Sequence, residues 1–228
     1  MKLLVIEGVD GAGKSTQMKL LLDFFSEKGY ICEYLHFPRT EAPYFGELIA
    51  RFLRGEFGTI GEVDPYLVAM LYAGDRKDAS EMIRNWLHNG KVVLLDRYTY
   101  SNIAYQCAKL KEISAQERLM QWILTLEFDH FSIPRPDLNI FLDVPFAFTE
   151  KKLSGFRTGE DRNYLNGSRD IHEESMDFQR KVRDIYLRVS QTDSRLAVVN
   201  CSNSEDEMLT PDEIFGLLTG ILKKRKFV

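Results

Sequence analysis

Apolar positions along the chain follow two patterns that alternate. Short continuous runs at residues 3–6, 92–95 and 138–144 read as strands buried on both faces, and residues 31–37 and 196–199 add two more. Between them the spacing is helical. Met18, Leu21, Leu22 and Phe25 fall at i, i+3, i+4 and i+7, and Gly29 stops that helix. Residues 43–54 predict a short helix with Leu48, Ile49, Phe52 and Leu53 inward, followed by a glycine-bearing loop over 55–64. Pro65 opens a longer helix that runs to His88 and is ended by Asn89-Gly90. Residues 98–130 are helical with a break near 111–114, and the second part carries Leu119, Trp122, Ile123 and Leu126 as its stripe.

After a helix over 146–153, residues 154–172 lose apolar periodicity and read as a mobile loop. Helix returns near 173 with Phe178, Val182, Ile185, Tyr186 and Val189 on one side. Thr210-Pro211 opens a last helix with Ile214, Leu217, Leu218 and Ile221 inward. Strands alternating with helices predict one α/β domain over residues 1–228, a five-stranded parallel sheet with helices on both faces.

Composition is ordinary and leaves that picture unchanged. The net charge of −4 argues against a surface for duplex nucleic acid. The basic run at 223–226 reads as a solvated helix end, where cations suit the dipole. Cys32, Cys107 and Cys201 are too scattered for a metal or disulfide framework, so a reduced, cytoplasmic setting is expected, with Cys107 in the core. No run approaches membrane-spanning length, and the start is short for a secretion signal.

The chemistry concentrates where strands end. Residues 8–15 fit the phosphate-binding loop pattern G-x-x-x-x-G-K-[ST] through Gly8, Gly13, Lys14 and Ser15. The backbone of Val9, Asp10, Gly11, Ala12, Gly13 and Thr16 would join these in holding a triphosphate such as ATP. Lys14 brings charge to the β- and γ-phosphates, and Ser15 offers a hydroxyl to Mg2+. Asp96 closes the third strand and reads as a second Mg2+ ligand, as a partner for Arg97, or as a cap for the next helix. Arg39 and Arg97 follow two further strands, and two planar forks on one rim suggest a second phosphate. Asp10 is out of place among phosphate oxygens, unless it faces away and accepts from a hydroxyl of another substrate, or is simply a loop residue.

The runs at 7–17, 37–39, 71–76, 96–106 and 142–145 make the chain resemble the thymidylate kinase family, with element spacing that agrees from end to end. The resemblance implies a P-loop kinase of ATP and dTMP that uses Mg2+, forms a homodimer through helices beside the acceptor site and contributes to dTTP synthesis. It implies that Arg39 and Arg97 grip the dTMP phosphate beside Phe37. Asp10 would accept from the sugar 3′-hydroxyl. Tyr72 would stack on the base, Arg76 would reach its carbonyl edge, and Ser101 and Asn102 would lie over it, with the Asn102 amide at N3–H and the neighbouring carbonyl. Tyr105 would crowd out a 2′-hydroxyl.

Some members carry an arginine inside the phosphate loop. Gly11 and Ala12 stand there here, so the resemblance moves that charge to the lid at 154–172, where Arg157, Arg162 and Arg169 are the candidates. Lys152 stands where the family usually has an arginine against adenine. His172 reads as structural. The alternative is another nucleoside monophosphate or deoxynucleoside kinase of the same fold; a GTP-dependent switch would be expected to carry Asn-Lys-x-Asp, which is absent from the chain.

Overall fold

The computed structural model describes residues 2–154, 164–165, 170–173 and 175–228. Five strands form one all-parallel sheet: β1 (Lys2–Gly8), β2 (Cys32–His36), β3 (Val92–Asp96), β4 (Leu138–Asp143) and β5 (Leu196–Asn200), in the order β2-β3-β1-β4-β5. Alternate residues of β1 serve opposite faces. Leu4 and Ile6 enter a core with Leu94 of β3 and Ile140 of β4, whereas Leu3 and Val5 enter a second core with Val93 and Leu95. Both faces are therefore covered, as continuous apolar strands require. The chain runs to β2 and β3 on one side of β1 and to β4 and β5 on the other. Such a divergence opens a crevice at the carboxyl end of β1.

Eight α-helices surround the sheet among the described residues: α1 (Lys14–Glu27), α2 (Phe45–Leu53), α3 (Pro65–His88), α4 (Thr99–Cys107), α5 (Ile113–Leu124), α6 (Phe146–Ser154), α7 (Met176–Thr192) and α8 (Pro211–Lys224). Their ends follow local chemistry. Asp64 accepts from the N–H groups of Tyr66 and Leu67 ahead of Pro65, and Thr210 with Glu213 forms a capping box ahead of α8.

The structure departs from the pattern at four places. Leu217 is 45% exposed and Leu222 is buried instead, because the inward stripe of α8 runs Ile214, Leu218, Leu222. Ile31 is exposed, and β2 begins one residue later. The helix expected through residue 130 ends in a wider π turn, Thr125–His130. That turn puts Glu127, rather than Leu126, at the fully buried position. Finally, Asp170, Ile171 and His172, placed at the end of the mobile loop by their lack of periodicity, are buried. Ile171 joins Phe52 and Val68 in a small core, and the His172 ring stacks on Phe178, 5.7 Å between centroids. Three residues are too few to show a period.

Candidate active site

β1 delivers the phosphate-binding loop to the mouth of the sheet. Gly11 has φ +77°, and a Cβ there would lie 3.1 Å from Lys152 Cβ of α6. Glycine thus serves both the turn and the close approach of α6. Lys14 begins α1, and its Nζ folds back onto the carbonyl oxygens of Gly8 and Val9 at 3.4 and 3.2 Å. Burial, reinforced by Arg97, lowers its pKa to about 8, against the pull of Asp96, Asp10 and Glu7. Ser15 and Thr16 are exposed at the helix start, where N–H groups face outward.

β3 delivers Asp96 and Arg97 beside this loop. Asp96 Oδ2 lies 3.3 Å from His36 Nδ1, and its Oδ1 is buried with no hydrogen-bond partner among the described residues. Burial opposes its charge, but Lys14, His36 and Arg97 prevail and lower its pKa. Arg97 has φ +67°, a left-handed backbone that costs about 1 kcal/mol outside glycine. It is held there by Arg97 N donating to Ile6 O at 2.9 Å and Nη1 donating to Gly8 O at 2.9 Å. The result is a guanidinium turned over the end of β1, with Nη2 2.6 Å from Asp10 Oδ1.

Asp10 is the junction of the site. Besides Arg97 it accepts from Tyr105 OH at 2.8 Å and Gln179 Nε2 at 2.9 Å. Burial works against its ionisation, but Arg97, Lys14 and the Tyr105 hydroxyl hold it below the usual carboxylate range. The carboxylate that looked misplaced in a phosphate loop therefore faces an arginine and a hydroxyl. Gln179 also donates to His172 O at 2.8 Å, so α7 and the segment before it are tied to the loop.

Other anticipated residues are placed differently. Arg39 is engaged by two carboxylates and a carbonyl: Nε donates to Asp75 Oδ1 at 2.8 Å, and Nη2 to Asp78 Oδ2 at 2.6 Å and to the backbone oxygen of Asp75 at 2.9 Å. A phosphate would meet Nη1 or displace Asp78. Its backbone is pinned as well, since a Cβ on Gly46 would fall 2.0 Å from Arg39 O. Phe37 is 1% exposed and packs on Tyr98 in the core. Arg76 is wholly buried and bidentate to Glu127. The Ser101 hydroxyl, expected over a base, contacts Glu7 Oε2 at 2.5 Å and the Tyr186 hydroxyl at 2.8 Å. Both N–H bonds of the Asn102 amide are spent, which leaves its oxygen alone to accept. Tyr72 is half-buried beside Ile49, Phe52 and Leu53. Lys152 is exposed on α6, its Nζ 5.6 Å from the Phe148 ring centroid. Arg157, Arg162 and Arg169 lie outside the described residues.

Four supporting residues carried no assigned role in the sequence. Glu7 is fully buried and accepts from Tyr98 N, Ser101 N and the Tyr186 hydroxyl; burial raises its pKa. Asp75, Glu127 and Gln179 are the others, all 0–1% exposed. Each is a polar residue on an apolar face: Glu7 inside the apolar run of β1, and Gln179 on the Phe178–Val182 stripe. That interruption was the available signal.

A parallel sheet in the 2-3-1-4-5 order, with a phosphate loop after its central strand and an acid at the end of the neighbouring one, defines a protein of the P-loop nucleotide-binding class. The thymidylate kinase family model matches residues 6–210, and the chain belongs to that family. It is 33% identical over 210 residues to the "Probable thymidylate kinase" of Thermococcus gammatolerans, covering 90% of each chain. It is 33% identical to the thymidylate kinase of Mycobacterium tuberculosis over 189 residues, 82% of this chain and 85% of that one. The structure of thymidylate kinase from Candida albicans superposes with a TM-score of 0.71 at 26% identity, covering 99% and 92% of the two chains. The chain is accordingly a kinase that phosphorylates dTMP to dTDP with ATP, in nucleotide biosynthesis.

Proposed function

We propose that the donor and acceptor halves of this reaction meet at the Asp10–Arg97 pair. The observation that carries this is the convergence at the end of β1 of Asp10 and Lys14 from the phosphate loop, Arg97 from the end of β3 and Tyr105 from α4. The loop N–H groups and Lys14 would hold the ATP phosphates. Arg97, with Arg39 at the rim, would hold the dTMP phosphate. Asp10 would accept from the 3′-hydroxyl, and Tyr72, Arg76, Asn102 and Tyr105 would enclose the nucleoside. Phosphoryl transfer asks little covalent work of the protein; alignment and charge neutralisation supply the acceleration.

Mg2+ fits the residues present. Asp96 Oδ1 is buried, ionised and unpartnered among the described residues, and the Ser15 hydroxyl is exposed at the loop. No cluster of three His, Cys, Asp or Glu suited to a metal occurs among the described residues, but Mg2+ bound with nucleotide takes phosphates and waters as most of its ligands. When bound there it would neutralise charge on the transferring group. Within one kinase domain over 1–228, the part of the segment 154–172 that precedes the buried Asp170-Ile171-His172 would act as a lid and add an arginine from among Arg157, Arg162 and Arg169. Lys152, held against Gly11, stands ready for the donor nucleotide.

The exposed Leu67 and Met70 of α3 and Phe45 of α2 support a homodimer formed through this face, which sedimentation would test. The three unpaired cysteines support the cytoplasm, a setting in which localisation of the tagged protein is the check. No helix among the described residues is long and apolar enough to cross a membrane.

Tyr105 tests the nucleoside placement. Its ring is 5% exposed and its hydroxyl is anchored on Asp10, so it cannot easily withdraw from a 2′-hydroxyl. Tyr105→Ala is expected to narrow the kcat/KM gap between dTMP and its ribonucleotide analogue by about tenfold. A gap of unchanged size would remove the sugar from this position.

A further inference from the structure

Glu127 is fully buried on the π turn that follows α5. Its carboxylate accepts from Arg76 Nε at 2.7 Å, Arg76 Nη2 at 2.5 Å, Thr99 Oγ1 at 2.8 Å and Asn102 Nδ2 at 2.9 Å. One oxygen, Oε1, is shared by Arg76 and Asn102, which places those two side chains next to each other.

The consequence for Asn102 is a fixed amide. One N–H goes to Glu127 and the other to Ala69 O at 3.0 Å, while Oδ1 is buried without a partner among the described residues. A flipped amide would set its oxygen against a carboxylate and a carbonyl, which is repulsive at both contacts. Glu127 therefore dictates that Asn102 presents an acceptor. On Arg76 it occupies Nε and one Nη2 bond, and the Nη1 donors lie outside that pair.

We propose that Glu127 sets the donor–acceptor polarity with which the acceptor base is read. A donor from Arg76 beside an acceptor on Asn102 complements a ring that carries a carbonyl next to an N–H, as a 4-oxopyrimidine does. It opposes a 4-aminopyrimidine, whose amino group would face Arg76 and whose bare ring nitrogen would face Asn102 Oδ1. The inference rests on the base placement proposed above. Glu127 is a positioning residue, acting through Arg76 and Asn102. Hydrogen-bond polarity does not distinguish a 5-methyl group from a 5-hydrogen.

The test is kcat/KM for dTMP, dUMP and dCMP in the unsubstituted protein and in Glu127→Gln and Glu127→Asp. Glutamine puts an NH2 where Arg76 and Asn102 need acceptors. Aspartate keeps the charge that Arg76 requires but is one methylene short of serving both partners. The dTMP-to-dCMP ratio is expected to fall about tenfold or more, mainly through KM, with the dTMP-to-dUMP ratio unchanged. If Glu127→Gln does not fold, Glu127→Asp is read the same way. A dTMP-to-dCMP ratio kept in a folded variant would overturn the proposal, as would equal losses for all three substrates. Asn102→Ala separates the two readings: an unchanged KM for dTMP would take the base away from this site altogether, whatever Glu127 does.

Discussion

Arg97→Ala should lower kcat for dTMP by about two to three orders of magnitude while the affinity for ATP changes by less than about threefold. The expectation follows from where the two cations are anchored. Lys14 lies against the loop carbonyl oxygens of Gly8 and Val9, on the proposed donor side. Arg97 arrives from β3 and reaches Asp10, on the proposed acceptor side. The variant should still fold, because Asp10 keeps Tyr105 and Gln179 as donors. Turnover and an ATP titration on the same preparation decide the matter. Unchanged turnover would reduce Arg97 to a partner for Asp10, and a parallel loss of ATP affinity would move it to the donor site.

Lys14→Met should be as damaging to turnover, by about a thousandfold, with a different signature. Here ATP binding weakens together with kcat, because the lost charge faces the donor phosphates. Stability should not fall. Lys14 is 8% exposed, and burial already depresses its pKa to about 8. Replacing a buried ammonium by an apolar side chain of similar length removes a desolvation cost. The neighbouring Arg97, a like charge, is relieved as well. A thermal midpoint equal to or above that of the unsubstituted protein, with turnover lost, is the expected pair of results. A lower midpoint would show that Lys14 acts mainly as a strut for the loop.

Much of the fold was legible in the chain because its signals are local. Continuous apolar runs announced the strands, and Asn89-Gly90, Pro65 and Thr210-Pro211 marked helix ends by their own backbone preferences. What was not legible is long-range. The buried stripe of α8 depends on which face meets the sheet, so Leu217 and Leu222 exchanged roles. The π turn at Thr125–His130 shifted the inward position by one residue, and no propensity rule marks such a turn.

In the site the same division holds. Gly8, Gly13, Lys14 and Ser15 are a contiguous motif whose geometry is built locally. The pairings around the proposed acceptor side join residues far apart in sequence: Arg76 with Glu127, Arg39 with Asp75, and Asp10 with Gln179. A sequence shows that a cation or a carboxylate is present, and only the fold shows that they neutralise each other. Hence the resemblance singles out Arg39, Arg76 and Ser101 as polar residues expected on the acceptor side, while the carboxylates that hold them are not legible.

We propose that a nucleoside monophosphate with a 4-oxopyrimidine base is seated opposite the phosphate loop, its phosphate held by Arg97 and Arg39. ADP release with ATP and, in turn, dTMP, dUMP, dCMP, AMP and thymidine measures this most directly. The expected result is the highest kcat/KM for dTMP, a lower value for dCMP and AMP, and little turnover of thymidine, which lacks the phosphate that those arginines would hold. Thymidine or AMP turned over in preference to dTMP would contradict it.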